Sequence, residues 1–452
     1  MRTSLWASAA MLSIAAIASS LAGGCSSKGA SATDGRLCTP GNYVYCRCAN
    51  RDEGTKLCKE DGQSFEACQP CPDGQEVPPD TTVDGGSTPP PPEDGGFIPV
   101  DSGPAPDTGA PSLTAQCTGK LALLGGSDQD SDTYAAIYRG SGSFEVGKST
   151  GPGMRSNAQI VNVGSSLLAV YMGKLSSLVG AKYQATWSAP SSFQSTGGAP
   201  SLTALGTQAR VVYLGLDGLF YAGTYATGWD TADTLAEPAA GSGVPGKSSP
   251  ALAAVGTSLV YAFTGSDGSL EKALSSGSGF AAPTKILSTA YAAAPAMVAM
   301  NGGAKDLMIA YTGSDLALHT VTRESSNKAW NVSVLVNDAA QTNDPPALAA
   351  LPGGKALVVW RAVDKHGYWS VYDPSMVSPW SAPAELVAGA NPVLAATPTL
   401  APSKCGSADV VIAYAEDGAG VSVLHYTAGV FAGPYLVPGM SKLTYLGVGE
   451  LP

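Results

Sequence analysis

The chain holds only three histidines, His319, His366 and His425, and no two of them share the i, i+4 spacing that lets a pair on one helix face grip a metal. Proton transfer near neutral pH therefore has few agents. Carboxylates are placed more regularly. Asp128, Asp217, Asp267, Asp315, Asp364 and Asp417 each fall in a short turn, with Lys174 at the matching place in a further turn. An Asp in such a turn closes it through its own side chain, a structural task that competes with contact to a ligand or calcium. The densest mixture of chemically able side chains is Arg361, Asp364, His366 and Trp369: a cation, an anion, an imidazole and an aromatic face close together in the chain. These four are the expected ligand contacts. No catalytic set, metal site or cofactor is expected. The string Gly241-Ser-Gly-Val-Pro-Gly246 matches a dinucleotide fingerprint only as letters, because strands flank it and no helix follows to receive a pyrophosphate.

The elements that must hold these residues repeat. A Pro or its equivalent followed by small and apolar residues opens each unit: Pro111, Asn157, Pro200, Pro250, Pro295, Pro346 and Pro398, at spacings of 46, 43, 50, 45, 51 and 52 residues. Next comes a continuous apolar run such as Leu167–Tyr171, Leu259–Phe263 or Leu357–Trp360, whose lack of alternation predicts a strand covered on both faces. A more alternating third piece follows the Asp turn. The fourth opens on an aromatic: Phe144, Trp187, Trp229, Phe280, Trp330, Trp380 and Phe431. Four of these continue to a Pro (Pro190, Pro283, Pro383, Pro434), which suits an edge strand with no ladder partner for its N–H.

Four short antiparallel strands per unit, small residues in the first and a doubly covered second predict an all-β, seven-bladed β-propeller over 112–452, since blades converge on an axis where only small side chains fit. A solenoid or a pair of β-sandwiches is the competing architecture. An extra start-like strand, Leu443–Val448, is expected to close the ring by supplying or pairing with the innermost strand of the first blade. Cys117 and Cys405, the only cysteines of this part, are expected to form a disulfide across that seam.

Before the repeats the composition changes three times. Residues 1–24 join Arg2 to an apolar run, Leu5 to Leu21, and end in small residues, the pattern of an export signal. After a tether over 25–37, six cysteines (Cys38, Cys46, Cys48, Cys58, Cys68, Cys71) crowd 38–71 among polar neighbours with little core to bury. Behind an export signal they read as three disulfides whose pairing the sequence leaves open, with zinc held by Cys46, Cys48, Cys68 and Cys71 as the lesser alternative. Residues 72–111 carry 11 Pro, eight carboxylates and no Lys or Arg, the composition of a disordered, extended linker. The chain's formal charge is −11, yet from Ser112 onward 22 acidic residues face 18 basic ones, so no basic stripe points to nucleic acid.

The segment Leu21-Ala22-Gly23-Gly24-Cys25 resembles the lipobox of bacterial lipoproteins. The resemblance implies cleavage before Cys25, acylation of its sulfur and amino group, and, with Ser26 following, sorting to the outer membrane or cell surface of a Gram-negative bacterium. Cleavage by the ordinary signal peptidase, leaving Cys25 as a thiol, is the alternative. The repeats, with Pro250-Ala251-Leu252, then Gly265-Ser-Asp267-Gly-Ser-Leu270, then Trp380-Ser381, resemble those of bacterial propeller lectins of the fucose-lectin kind, and their turns resemble Asp-boxes without the final Thr-Trp. That resemblance implies sugars held in pockets between blades, stacked on Trp or Tyr. The expectation is a lipid-tethered extracytoplasmic module that binds a glycan or protein without turnover. A sialidase-like or other glycoside hydrolase and a purely structural envelope protein are the alternatives. Arg139, Arg155, Arg210, Arg323 and Arg361 occupy unmatched places in their units, which argues against the arginine cluster a sialidase would need.

Overall fold

The computed structural model describes residues 43–47, 53–57, 59–61, 63–67, 98–99 and 120–451, the last with breaks at 128, 141–143, 227, 230–233, 236–245, 247, 277–278, 289–292 and 404–409. The chain divides into two compact units, Met1–Pro91 and Pro92–Pro452. In the first, strands Tyr43–Arg47 and Glu53–Leu57 form an antiparallel hairpin. Beyond it the Asp61 carboxylate accepts from the Gln63 and Ser64 amides and the Ser64 hydroxyl. The lipid-attachment and disulfide expectations at Cys25, Cys38, Cys48, Cys58, Cys68, Cys71, Cys117 and Cys405 lie outside the described residues, and of Cys46 only the strand backbone is described.

The second unit is a β-propeller of seven antiparallel sheets. Blades 2 to 7 begin with innermost strands Gln159–Val163, Ser201–Leu205, Ala251–Val255, Ala296–Ala299, Ala347–Leu351 and Thr399–Pro402, and each continues outward in chain order. The innermost strands of neighbouring blades adjoin all the way round, so the stack is a closed ring and not a solenoid.

The second strands explain the fold's stability. Leu167, Leu168, Ala169, Val170 and Tyr171 of blade 2 are all 0% exposed. Leu167 and Ala169 pack toward blade 1 while Leu168 and Val170 pack toward blade 3, because successive side chains leave opposite faces of a strand. The same division recurs at every seam, so that each of the seven blade junctions has an apolar cluster of its own. Burying one such Leu, Val or Ile contributes about 1.5–3 kcal/mol. This is the physical cause of the unbroken apolar runs.

Blade 1 is assembled from the two ends of the repeat region. Its second strand, Leu121–Gly126, pairs on one side with Asp132–Tyr138 and on the other with Tyr445–Glu450 near the C-terminus, Leu124 facing Gly447. The terminal segment therefore supplies the innermost strand of this blade, and the unit opening read at Pro111–Ala115 lies outside the described residues. Gly447 permits the fit: a Cβ there would stand 2.6 Å from that of Ala158 on blade 2. At the outer edge of the same blade, Ile98–Pro99, within the stretch read as linker, pairs with Glu145–Thr150.

The recurring aromatics open the outer strands by closing a hairpin onto the end of the third strand. Tyr183 bridges Trp187, Tyr225 bridges Trp229 and Tyr372 bridges Trp380, with ring centroids 5.6, 5.1 and 5.4 Å apart. Such pairs contribute about 0.5–1.5 kcal/mol beyond their buried area. In blade 5 an arginine replaces the tyrosine, and Arg323 lies over the Trp330 ring at 6.0 Å.

Candidate functional site: an axial cavity

Each inner strand starts at the same end of the ring, and the second strand returns to that end. A cavity of ≈ 460 Å³ opens there on the axis, within the range of roughly 300–1,000 Å³ usual for small-molecule sites. The residues just ahead of the inner strands form its wall: Pro200, Pro250, Pro295, Pro346 and Pro398 line it, each one residue before its strand, Ala158 takes that place in blade 2 with Asn157 one residue earlier, and Thr444 and Tyr445 complete the circle. Proline suits this wall, since its fixed φ turns the chain from an outer strand into the next inner one without a donor left over.

Asn157, read in the sequence as the stand-in for proline, falls one residue earlier than the place the prolines take, and its side chain has a different task. Its Nδ2 donates to the Thr397 carbonyl at 2.8 Å, and its Oδ1 accepts from the Leu446 amide at 3.0 Å. One side chain thereby ties blade 2 to the blade 6–7 connection and to the closing strand, while its neighbour's amide, Ala158 N–H, donates to the Leu446 carbonyl.

The charged lining is sparse. Arg361, at the end of the second strand of blade 6, donates through Nη1 to Asp344 at 2.5 Å and through Nε to the Leu394 carbonyl at 2.8 Å. Arg155, ahead of the blade 2 inner strand, is exposed and its guanidinium has no partner among the described residues; its backbone amide donates to the Met172 carbonyl. Thr399, 8% exposed on the blade 7 inner strand, has a buried Oγ1 without a hydrogen-bond partner among the described residues. Thr397, Thr444, Ser201, Ser249 and Gln159 add polar groups, set against Ala, Pro, Met297 and Leu252. Tyr445 is the aromatic of the lining.

Of the four residues that the sequence singled out, Arg361 lines this cavity and the others are elsewhere. Asp364 closes its turn by accepting from the His366 amide at 2.9 Å and from the Tyr368 hydroxyl at 3.1 Å. His366 Nδ1 lies 2.8 Å from the Asn391 carbonyl oxygen. Trp369 packs edge-on against Tyr426 and Phe431 in the seam between blades 6 and 7, with its indole N–H donated to the Glu385 carbonyl.

Three of the other turn aspartates behave alike, while for Asp417 it is the backbone amide that bonds, donating to the Val393 carbonyl. Asp217, Asp267 and Asp315 each accept from the backbone amide two residues on, at 3.0, 2.9 and 3.0 Å. A second partner completes each: Tyr221 OH for Asp217, Lys285 Nζ for Asp267, and the His319 ring for Asp315. The Tyr221 hydroxyl, aided by the Leu219 amide, holds the Asp217 carboxyl below the usual carboxylate range. Lys285 and then Ser269 do the same for Asp267. Asp128 lies outside the described residues. No group of three or more His, Cys, Asp or Glu side chains is arranged to hold a metal among the described residues.

A closed ring of seven four-stranded blades around an axial cavity of mixed polar and apolar lining defines the class: a β-propeller with an end-on pocket. No family model matches the sequence, and no curated protein matches it. Among solved structures, the BP39L lectin from Burkholderia pseudomallei is similar over 71% of this chain and 99% of its own, with a TM-score of 0.54 and 16% identity. The Aleuria aurantia lectin, described as a six-bladed β-propeller with a novel fucose recognition mode, is similar over 63% of this chain and 97% of its own, at a TM-score of 0.46 and 17% identity. At such identities the likeness is one of fold.

Proposed function

We propose that this chain is a lipid-tethered, extracytoplasmic binding module that takes a glycan end into the axial cavity without chemical turnover. The observation that carries the reading is the cavity itself, whose lining alternates hydroxyl, amide and guanidinium groups with Pro, Ala and Met side chains. A sugar ring presents apolar C–H faces and a rim of hydroxyls, and such a lining matches both. Asp344 is the carboxylate among the lining residues, and it is engaged by Arg361. A glycosidase of the usual kind works with two carboxylates across the scissile bond, so the arrangement favours retention over hydrolysis. The likeness to a lectin fold is consistent with this reading.

The test is a glycan array probed with the full-length protein and with Ala396→Trp, which places an indole in the cavity mouth from the connection before blade 7. Signals for the natural sequence that vanish in the variant, at an unchanged melting temperature, support the cavity. Signals that survive the block, or release of reporter from aryl glycosides, refute it. The tether is tested separately: the amino-terminal peptide should begin at Cys25 and carry the mass of a diacylglyceryl group and an amide-linked acyl chain. A free Cys25 thiol overturns that part.

A further inference from the structure

Resting on the cavity being a glycan site, we infer that its ligand is a sugar bearing a carboxylate, and that Arg155 is the residue that selects it. The charged lining consists of Arg155, Arg361 and Asp344. Asp344 and Arg361 neutralise one another, and Arg361 is further held by the Leu394 carbonyl. Arg155 is left as an unbalanced positive charge in a protein of net charge −11. Its planar fork of donors matches a carboxylate bidentately, which a neutral hydroxyl cannot reproduce.

Thr399 lines the cavity as a residue, but its Oγ1 is buried and closed to solvent, so the charge of Arg155 carries the selection. Asn157 spends both side-chain atoms on the seam and is not available to a ligand. Arg155 on blade 2 stands beside the closing strand, so a sugar seated against Tyr445 and Thr444 would meet a cation there.

The experiment is calorimetric titration of the full-length protein with matched pairs that differ only at C6, methyl glucuronide against methyl glucoside and methyl galacturonide against methyl galactoside. At least one acid is expected to bind about tenfold or more tightly than its neutral partner, with an affinity that falls as salt rises. Arg155→Met should erase that preference while leaving the melting temperature unchanged, because the side chain is exposed and has no partner among the described residues. Equal affinity for acid and neutral sugars, lost in Ala396→Trp, overturns the charge assignment and leaves the glycan site standing. Preference for the acid that persists in Arg155→Met also overturns it. Absence of binding to any sugar removes both the inference and the reading beneath it.

Discussion

His425 sits in the third strand of blade 7, 3% exposed, with neither ring nitrogen hydrogen-bonded among the described residues and the Tyr435 ring edge-on at 5.7 Å. Burial without a partner disfavours the imidazolium, and the pKa falls to about 4. The unfolded chain takes up this proton near the ordinary histidine value of roughly 6.5 and the native one does not. The stability is therefore whole above that value and drains away as pH drops toward 4. Urea unfolding at pH 7.5 and 4.5 should show a loss on the order of 2–3 kcal/mol in the natural sequence that His425→Phe lacks. An equal loss in both would remove His425 as the cause. Asp306 and Arg323 pose the opposite case, a buried charge that is matched. Arg323 meets both Asp306 oxygens at 2.8 and 3.0 Å, and Lys328 adds a contact at 2.6 Å. Burial pushes the Asp306 carboxyl up, but Arg323 and Lys328 outweigh it and hold the group below its ordinary value. Asp306→Asn should cost about 3–5 kcal/mol, since it leaves the guanidinium buried without its counter-charge. Asp306→Leu combined with Arg323→Met should recover most of that loss. If the single and double variants unfold at the same urea concentration, the pair is not the source of the stability.

Among the elements, second strands are plain in the sequence because burial on both faces writes itself as continuous apolarity, as in Leu259–Phe263, whose residues are 0–4% exposed. Inner strands are plain for the complementary reason that the axis admits small side chains. The outer strands are not. Thr234–Leu235, Val334–Leu335 and Ala384–Glu385 are two residues long, and what the sequence marks is the aromatic that closes the hairpin before them. Asn157 was legible only as a stand-in for proline, one residue ahead of the place that Ala158 takes, because its partners lie 240 and 289 positions away and no local pattern encodes a contact of that span. Its place at the seam makes a sharp expectation. Asn157→Ala removes two hydrogen bonds and leaves the Thr397 carbonyl and Leu446 amide without that partner, at about 1–3 kcal/mol each where water is shut out. Asn157→Ala should unfold at lower urea than the natural sequence. An unchanged urea midpoint would mean that these two bonds do not hold the seam.

For the molecule as a whole, the number of blades was legible from seven openings and seven aromatics, whereas the cavity was not, because Arg155, Asp344, Arg361 and Thr399 hold different places in their units and meet only once the ring is shut. Shutting it falls to the terminal strand. Leu443, Leu446, Val448 and Leu451 are 9% exposed or less, and Thr444, Tyr445 and Val448 line the cavity. A chain ending at Lys442 forfeits that burial and uncovers Leu121–Gly126, a strand edge whose Leu121, Ala122, Leu123 and Leu124 are all 0% exposed in the intact ring. Unpaired apolar edges recruit other chains, so the shortened protein should associate, melt well below the natural sequence and bind no glycan. A synthetic peptide of residues 443–452 added in trans should restore the monomer, the melting temperature and glycan binding together. The intact protein should ignore the same peptide, because its groove is filled. Recovery of the monomer without recovery of binding would separate the ring's integrity from the cavity's function. A shortened chain that stays monomeric and melts within a degree or two of the natural one would show that the seven seams hold without this strand, and that closure is a consequence of blade packing and not its cause.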